Sequence, residues 1–523
     1  MFLQKNLIIT FKNKELTFQN IRFNHLKFLL LFFLLFRCTF CFGEYKYIAE
    51  FSKIYGTLKH KTNSLNKLKN SHYRFLEHSL KSLVNCNDDT TFNLILSDFL
   101  DSIELPNNTP KTINFNASNS INDNNENRIN YTLQKKNKTK SIYNPNRNLY
   151  FENTNAFIFA DNDIAYLSQY ISLWNTLYYF HANRNVNYDS LLYRGINTIL
   201  NEKDYIKAFT TELKVLNDNH AHFFNPSLNK KLLKDFYQVP INVSILNDYS
   251  YIIKEHSIAP SVSKIISIND TLFSINGVLT KTFVDSITQF LPNTERISKR
   301  NAGYYFFFTN INDTLNLEFK NTKKEFLKIT PKLNESNSKK ADVIAHQTNK
   351  TIWVNLFALS SKKNEKQSLK LFTEKDTIVL DLRGHINFFP KKMIHELSKH
   401  KTIIATIEPD IDHIGQFKKR ETTYGKNKEY NKIVYVLIDS YTQSSSELLA
   451  LILKETGSIL VGTNSAGASG ASVSIPLYKN NNFIFTISQF YGIPNIDLFG
   501  KGIAPNIYLP ELINTSNFHT LLK

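Results

Sequence analysis

Apolar positions recur at helical spacing over residues 163–182 ("DIAYLSQYISLWNTLYYFHA"), and the pattern predicts a helix buried over most of its surface. Two further helical runs follow, "YDSLLYRGINTILN" and "DYIKAFTTELKVLNDNHAHFF". The second breaks at the turn "NDN", which leaves His220 and His222 just past the helix end. An earlier amphipathic stretch, "KIYGTLKHKTNSLNKLKNSHYRFLEHSLKSLV", also reads as helical. From about residue 240 to 333 the period changes to short β-like runs. There "KIISI", a turn at Asn269–Asp270, "TLFSI" and a turn at Asn276–Gly277 read as a hairpin, followed by the helix "TFVDSITQFL".

From about residue 350 strands alternate with helices. The order is "TIWVNLF", the helix "KNEKQSLKLFTE", "DTIVLDLRG", the helix "PKKMIHELSKH" and "TIIATI". Then come "KIVYVLID", the helix "SELLALILKE", "SILVGT" and a late pair, "ASVSIPLY" and "NFIFTISQF". Alternation of this kind predicts an α/β sheet with crossover helices, and ligands of such sheets sit at the carboxyl ends of the strands. Ser444 and Gly384 both lie at such ends.

Composition changes this picture in three places. Residues 107–150 are rich in Asn, Lys, Ser and Thr with few apolar positions, which predicts a linker. The basic leader with Lys5, Lys12, Lys14, Arg22 and Lys27 precedes the apolar run Phe28–Phe36, which Arg37 closes. That run is too short to span a bilayer and reads as an export signal ending near Gly43. A retained signal anchor and a lipid on Cys38 or Cys41 stay open, and with them membrane attachment through this segment. Cleavage near Gly43 leaves Cys86 as the last of the 3 cysteines, so no intrachain disulfide is expected. The net charge is +18, yet no basic and aromatic run makes a nucleic-acid footprint, and no nucleic-acid partner is expected. No H-E-x-x-H, paired Cys or Asp-rich loop occurs, so neither a metal nor a cofactor is expected; "GASG" lacks the Lys-Ser/Thr of a P-loop and reads as a backbone turn.

The candidate chemistry lies in "DSYTQSSSELLALILKETGS", where a buried strand gives way to an apolar helix. Serines here ordinarily cap the helix, and Ser444 with Glu447 fits a capping box. Alternatively a serine held up at the strand-to-helix turn is a nucleophile, with the helix N-terminus supplying N–H donors to an oxyanion. That second reading needs a base elsewhere in the chain.

The succession "LNDNHA", "IISINDTLFSING", "DLRG", "TQSSSE", "VGTNSAGASG" and "GKGIAPNIYLP" resembles the serine peptidase family of C-terminal processing proteases and the tricorn core protease, over roughly Asp161 to Pro510. The resemblance implies Ser444 as nucleophile and, in the tricorn-like branch, His220 as base; His222 reads as a solvated neighbour, with the role of base as its lesser alternative. The Ser–Lys variant is disfavoured because the turn reads "NSAGASG" without Lys. The family's Gly pair after the "DLRG" strand is replaced by His385, Asn387 and Phe388, so the oxyanion donors become the N–H groups of Ser445 and of Gly384 or His385. The family's orienting Glu falls at Phe499, leaving Asp497 as the candidate acid. Ser446 is expected to cap the helix. Asp381 and Arg383 read as a strand-end ion pair, and Tyr491 and Phe499 as packing.

The fold class implied is α/β within an α+β multidomain chain. It comprises a helical N-terminal domain, a PDZ-like β domain that adds peptides to a sheet edge, and a C-terminal α/β serine peptidase domain with crossover helices of the ClpP/crotonase kind. The expected divisions are residues 1–43 (signal or anchor), 44–106 (helical, role unassigned), 107–150 (linker), 151–239 (helical, ending in the His motif), 240–333 (PDZ-like) and 345–515 (catalytic). The function implied is an exported serine endopeptidase, placed extracytoplasmically, acting on polypeptides through a Ser444 acyl-enzyme. Two other functions stay open: a peptide-binding protein on the same scaffold with little turnover, and a hydrolase of a non-peptide ester or amide.

Overall fold

The computed structural model describes residues 10–11, 14–15, 45–61, 71–102, 163–233, 237–239, 241–247, 249–256, 267, 270–309, 313–320, 324–328, 342–410, 414–427, 431–477, 480–492, 497–509 and 518. The apolar run Phe28–Phe36, the expected linker and the strand "KIISI" lie, wholly or mostly, outside them. Among the described residues no helix is long and apolar enough to cross a membrane.

The helices Lys46–Lys61, Ser71–Leu83 and Asp89–Ser102 pack with Asp163–Phe180 and Tyr188–Leu200 around a single aromatic-rich core. Phe51 meets Phe99 edge-on at 4.9 Å, and Asn175 Nδ2 reaches across to the Ser52 carbonyl at 3.1 Å. The expected long helix after Asp204 is instead a short α-helix, Tyr205–Phe209, and a 3-10 turn, Glu212–Leu216. Asn217 stops it in the left-handed conformation (φ 51°), which Asn tolerates better than most residues. The chain then enters the strand His222–Phe224.

That strand adds to a hairpin from far along the chain. Asn482–Thr486 pairs antiparallel with Ser472–Pro476 on one side and with His222–Phe224 on the other. Phe223, Phe483 and Phe485 from this sheet close the helical core, so the segment after the helices is registered against the late hairpin.

The middle of the chain forms an antiparallel sheet whose main path runs Lys324–Lys328, Thr314–Phe319, Thr271–Ile275, Ser250–His256, Ile241–Asn247. The turn at Asn276 (φ 51°) and Gly277 (φ 76°) joins Ile275 to Val278 as a two-residue hairpin, the geometry Asn-Gly favours. The helices Thr280–Thr288 and Glu295–Ala302 follow.

The C-terminal sheet has the order Ile344–Gln347, Thr351–Asn355, Thr377–Asp381, Ile433–Ile438, Ile459–Gly462, Ile507–Tyr508. All pairs are parallel except the first, and the helices Lys362–Phe372, Lys391–Leu397 and Ser445–Glu455 lie between strands in sequence. The α/β expectation therefore holds in this region. One element departs from it. Thr402–Pro409 leaves the parallel sheet and pairs instead with Phe417–Tyr424 and Gln489–Tyr491. Most of its positions stay partly exposed, as an antiparallel ribbon allows, whereas the central strands are mostly buried.

Because the N-terminal helices and the late hairpin share one core, Phe51→Ala and Phe483→Ala are expected to lower the midpoint of the same thermal transition, each by about 3–5 kcal/mol of stability. Two resolved transitions, with Phe51→Ala moving only one of them, would show that the helices fold apart from the rest.

Candidate functional site

Ser444 ends the turn after Ile433–Ile438 and is the N-cap of Ser445–Glu455, with φ 56° and ψ −121°. A non-glycine residue held there is strained by about 1–3 kcal/mol, and a sharp strand-to-helix turn with the serine at its apex is where such strain is used. The capping box does not form. Ser444 makes no side-chain cap bond; its N–H donates to the Ala468 carbonyl at 3.0 Å, and its Oγ lies 3.5 Å from the Gly470 carbonyl. Glu447 turns away, accepting from Ser465 Oγ (2.5 Å) and the Gly467 N–H (2.7 Å). Burial raises its carboxyl to about 7. Ser446 does not cap the helix either: its Oγ accepts from the Ile386 N–H at 3.0 Å, tying the nucleophile helix to the loop after "DLRG".

The "GASG" turn lies directly on this serine. Gly467 (φ 73°) packs so tightly on the Gly500–Gly502 backbone that a Cβ would approach within 2.7 Å of it. The close approach lets the 464–470 loop reach both the serine and the base segment. Asn219 Nδ2 donates to the Ala466 carbonyl at 2.7 Å, one residue before His220.

His220 sits in a polar relay. Its Nδ1 is 2.9 Å from Thr486 Oγ1, and Thr486 Oγ1 is 2.7 Å from Asp218 Oδ1. Asp218 is fully buried and also accepts the backbone N–H groups of His220 (2.9 Å) and Thr486 (2.6 Å). His181, equally buried, places Nε2 3.3 Å from Asp218 Oδ2, a contact short of an aligned hydrogen bond. Although burial alone would raise it, the Asp218 carboxyl is held below its ordinary value by His181, His220 and its N–H donors. It is therefore an ionised acceptor. The Thr486 hydroxyl must donate to it, so the threonine oxygen can only accept from the histidine. This assigns the proton of His220 to Nδ1 and leaves Nε2 as the basic lone pair. Nε2 is buried with no hydrogen-bond partner, and it is not bonded to Ser444. Burial lowers the His220 pKa, His385 and Arg300 lower it further, and Asp218 opposes them; the net direction is down, so the ring is neutral near pH 7.

The three expected oxyanion donors separate. The Gly384 N–H is already bonded to the Leu382 carbonyl at 2.8 Å. The Ser445 and His385 N–H groups have no partner among the described residues. His385 itself is exposed. Asp497 does not serve His220. It is exposed and bonds Gln489 Nε2 (2.9 Å), the Phe499 N–H (3.1 Å) and Lys501 Nζ (3.1 Å). The carboxylate behind His220 is Asp218, reached through Thr486. Asp218 stood in the quoted "LNDNHA" motif two residues before His220; Thr486 carried no local signal. His222 opens the strand that pairs with Ile484, and burial lowers its pKa. Asp381 and Arg383 form a bidentate pair (2.9 and 2.6 Å), Tyr491 pairs with Ala405 in the small sheet, and Phe499 packs edge-on against His181 at 5.8 Å. Among the described residues no group of His, Cys, Asp and Glu could hold a metal ion.

Residues 351–509 match the model of peptidase family S41, a segment that holds Ser444 and Thr486 but not His220. No curated protein sequence matches the chain. Among solved structures, the photosystem II D1 C-terminal processing protease is similar at 14% identity over 68% of this chain and 95% of its own, with a TM-score of 0.40. Mature CPAF is similar at 10% identity over 66% and 93%, with a TM-score of 0.48. The tricorn protease is similar at 10% identity over 68% and 36%, with a TM-score of 0.30.

The relay fixes the sign of two titrations. His220, followed by ring-proton NMR, is expected to titrate below 6.5 in the intact protein. Asp218→Asn removes the charge that holds the imidazolium and is expected to move it lower still; a rise would show that the carboxylate does not face this ring.

Proposed function

We propose that this chain, which carries a peptidase family S41 domain, is a serine endopeptidase in which Ser444 is the nucleophile and His220 the general base. The observation that carries the reading is the pair of a serine held at positive φ on a strand-to-helix turn and a neutral histidine whose Nδ1 proton is fixed by Thr486 and Asp218. A hydroxyl needs a base to become nucleophilic near pH 7, and a neutral imidazole with a bare Nε2 suits that role.

In acylation Ser444 Oγ bonds to the scissile carbonyl carbon while its proton passes to His220 Nε2. The new oxyanion accepts from the N–H groups of Ser445 and His385, at the positive end of the Ser445–Glu455 helix. His220 then protonates the leaving amine, and the C–N bond breaks. Water, deprotonated by the same Nε2, releases the acyl group and restores Ser444. Throughout, Nδ1–H stays on Thr486, and Asp218 stabilises the transient imidazolium without taking its proton. Serine and histidine must close up when substrate enters, as catalytic hydrogen bonds often do.

The substrate is a polypeptide, presented by the antiparallel sheet of residues 241–328 through addition to an edge strand. Export, read from the leader, places this activity outside the cytoplasm. The second reading, a peptide-binding protein with little turnover, draws on two observations: the Gly384 N–H is engaged by Leu382, and the Ser444 and His220 side chains are not bonded to each other.

A fluorophosphonate probe on the purified protein separates the two. Labelling is expected in the wild type and abolished in Ser444→Ala and His220→Ala, with peptide hydrolysis lost in parallel. Because the His220 pKa is lowered, kcat/KM is expected to hold its neutral-pH value down past 6.5 before falling with acid. A folded wild type that neither labels nor cleaves favours the binding protein.

A further inference from the structure

The helix Glu295–Ala302 belongs to the middle region of the chain, yet its two arginines and the residues just before it make polar contacts with loops of the other two. Just before it, Thr294 donates through both N–H and Oγ1 to Asn219 Oδ1 (3.0 and 2.7 Å), and Asn293 Nδ2 donates to the Ala221 carbonyl (2.7 Å). These contacts flank His220. One turn later Arg296 donates to the carbonyls of Asn464 (3.4 Å), Ser465 (2.6 Å), Ala466 (3.1 Å) and Lys501 (3.3 Å). One turn further Arg300, only 6% exposed, sets Nε and one terminal nitrogen on Asn301 Oδ1 (3.0 and 2.7 Å), and its other terminal nitrogen donates to the Ser440 carbonyl and to Gln443 Oε1 (3.4 Å); its guanidinium lies 5.2 Å from the Tyr441 ring centre. Tyr441 in turn donates to the Val243 carbonyl at 2.9 Å.

Neither arginine has a carboxylate within ion-pair distance among the described residues; both spend their donors mainly on neutral carbonyls and amides. A guanidinium buried with no carboxylate in ion-pair contact, Asp439 and Glu447 acting on Arg300 only from farther off, is costly to desolvate, so stability alone is a poor reason to keep it. A planar fork anchored by two nitrogens on Asn301 aims its third at the Ser440 carbonyl and Gln443, a fixed direction that a point charge does not have.

We propose that Arg300, seconded by Arg296, is a positioning residue for the reaction: from outside the nucleophile's own sheet it clamps Ser440 and Gln443 and so holds the Ser444 elbow in register with the base segment. The proposal rests on the reading of Ser444 as nucleophile. It makes the serine's geometry depend on the seating of the middle region, whose helix touches the base segment, the 464–466 loop and the nucleophile turn together.

The experiment uses the full chain with Arg300→Met and Arg300→Lys, a fluorophosphonate probe, and Ser444→Ala as the blank. Arg300→Met is expected to fold, with a thermal transition, and to label roughly a hundredfold more slowly, the usual effect of misplacing a reacting group by about 1 Å. Its acid limb is expected to move up in pH. The groups that act on His220 are Asp218, His385 and Arg300, and removing the guanidinium relaxes the depression. Arg300→Lys keeps the charge and loses the fork, so the limb is expected to stay while labelling remains slow. If Arg300→Met does not fold, the lysine variant decides alone: wild-type labelling by it overturns the clamp. Wild-type rates and an unmoved limb in Arg300→Met overturn the proposal while leaving Ser444 in place. A wild type that does not label overturns the nucleophile and the clamp together.

Discussion

The arrangement depends first on the buried carboxylate of Asp218. A charge taken wholly out of water is tolerable only if its lone pairs are filled, and here backbone donors from two distant segments and one hydroxyl fill them. Those bonds join the end of the helical block to the late hairpin strand Asn482–Thr486. The same bonds seat His220 on Thr486 and fix its tautomer. Folding and catalytic geometry are thus one problem at this carboxylate: the strand pairing of His222–Phe224 with Asn482–Thr486 cannot slip by a residue without stripping Asp218 of its donors.

Glu447 plays the opposite part on the nucleophile side. Its Oε1 is bonded to the 465–467 loop, but its Oε2 is buried with no partner, and burial lifts the group from 4.5 to about 7. The folded protein therefore holds a proton on Glu447 that the unfolded chain releases above 4.5. This group alone makes the fold less stable as pH rises from 4.5 to about 7, and adds no further change above that. Asp218 runs the other way, since its folded value is depressed: its contribution is complete above its ordinary carboxylate range and is lost only as acid protonates it. The two buried acids beside the site differ, Asp218 behind His220 held toward its charged form and Glu447 under the serine pushed toward its neutral one.

What could be read from the sequence was local. The Asn-Gly hairpin at Asn276–Gly277, the sheet strands around Ile433–Ile438 and the turn that lifts Ser444 all announce themselves within a few residues, because turn chemistry and apolar runs are short-range signals. The serine cluster was legible in position but not in division of work. Ser446 looks like a cap and instead holds Ile386, because the loop after "DLRG" folds down onto the helix start. Asp497 looked like the acid because it stands near the expected place in the chain. Thr486 lies 266 residues from His220 and 268 from Asp218, and no pattern along the chain links a hydroxyl to partners that only strand pairing brings near. The departure of Thr402–Pro409 from the parallel sheet was hidden for the same reason: an apolar strand does not state which neighbour it will take.

The site is assembled from segments that do not share a secondary-structure element, and this bears on how its strain is kept. A serine at φ 56° returns to an ordinary conformation unless the surrounding structure over-determines it. Within the C-terminal region it is held by its N–H on the Ala468 carbonyl, by the Leu448 N–H on its own carbonyl, by the Oγ contact to Gly470 and by the fold of the Gln443–Ser446 turn. The loop that supplies Ala468 is itself held from three directions: by Glu447 below, by Asn219 beside the base and by Arg296 from the middle region. Each of these fixes the loop against a different element, so the strained serine is stable only where all three elements are in contact. A mobile domain interface would spread that restraint over a range of geometries; the buried Arg300 and the half-buried Arg296, bonded to carbonyls, narrow it. On the proposed reading of Ser444, the middle region is then part of what holds the serine's geometry.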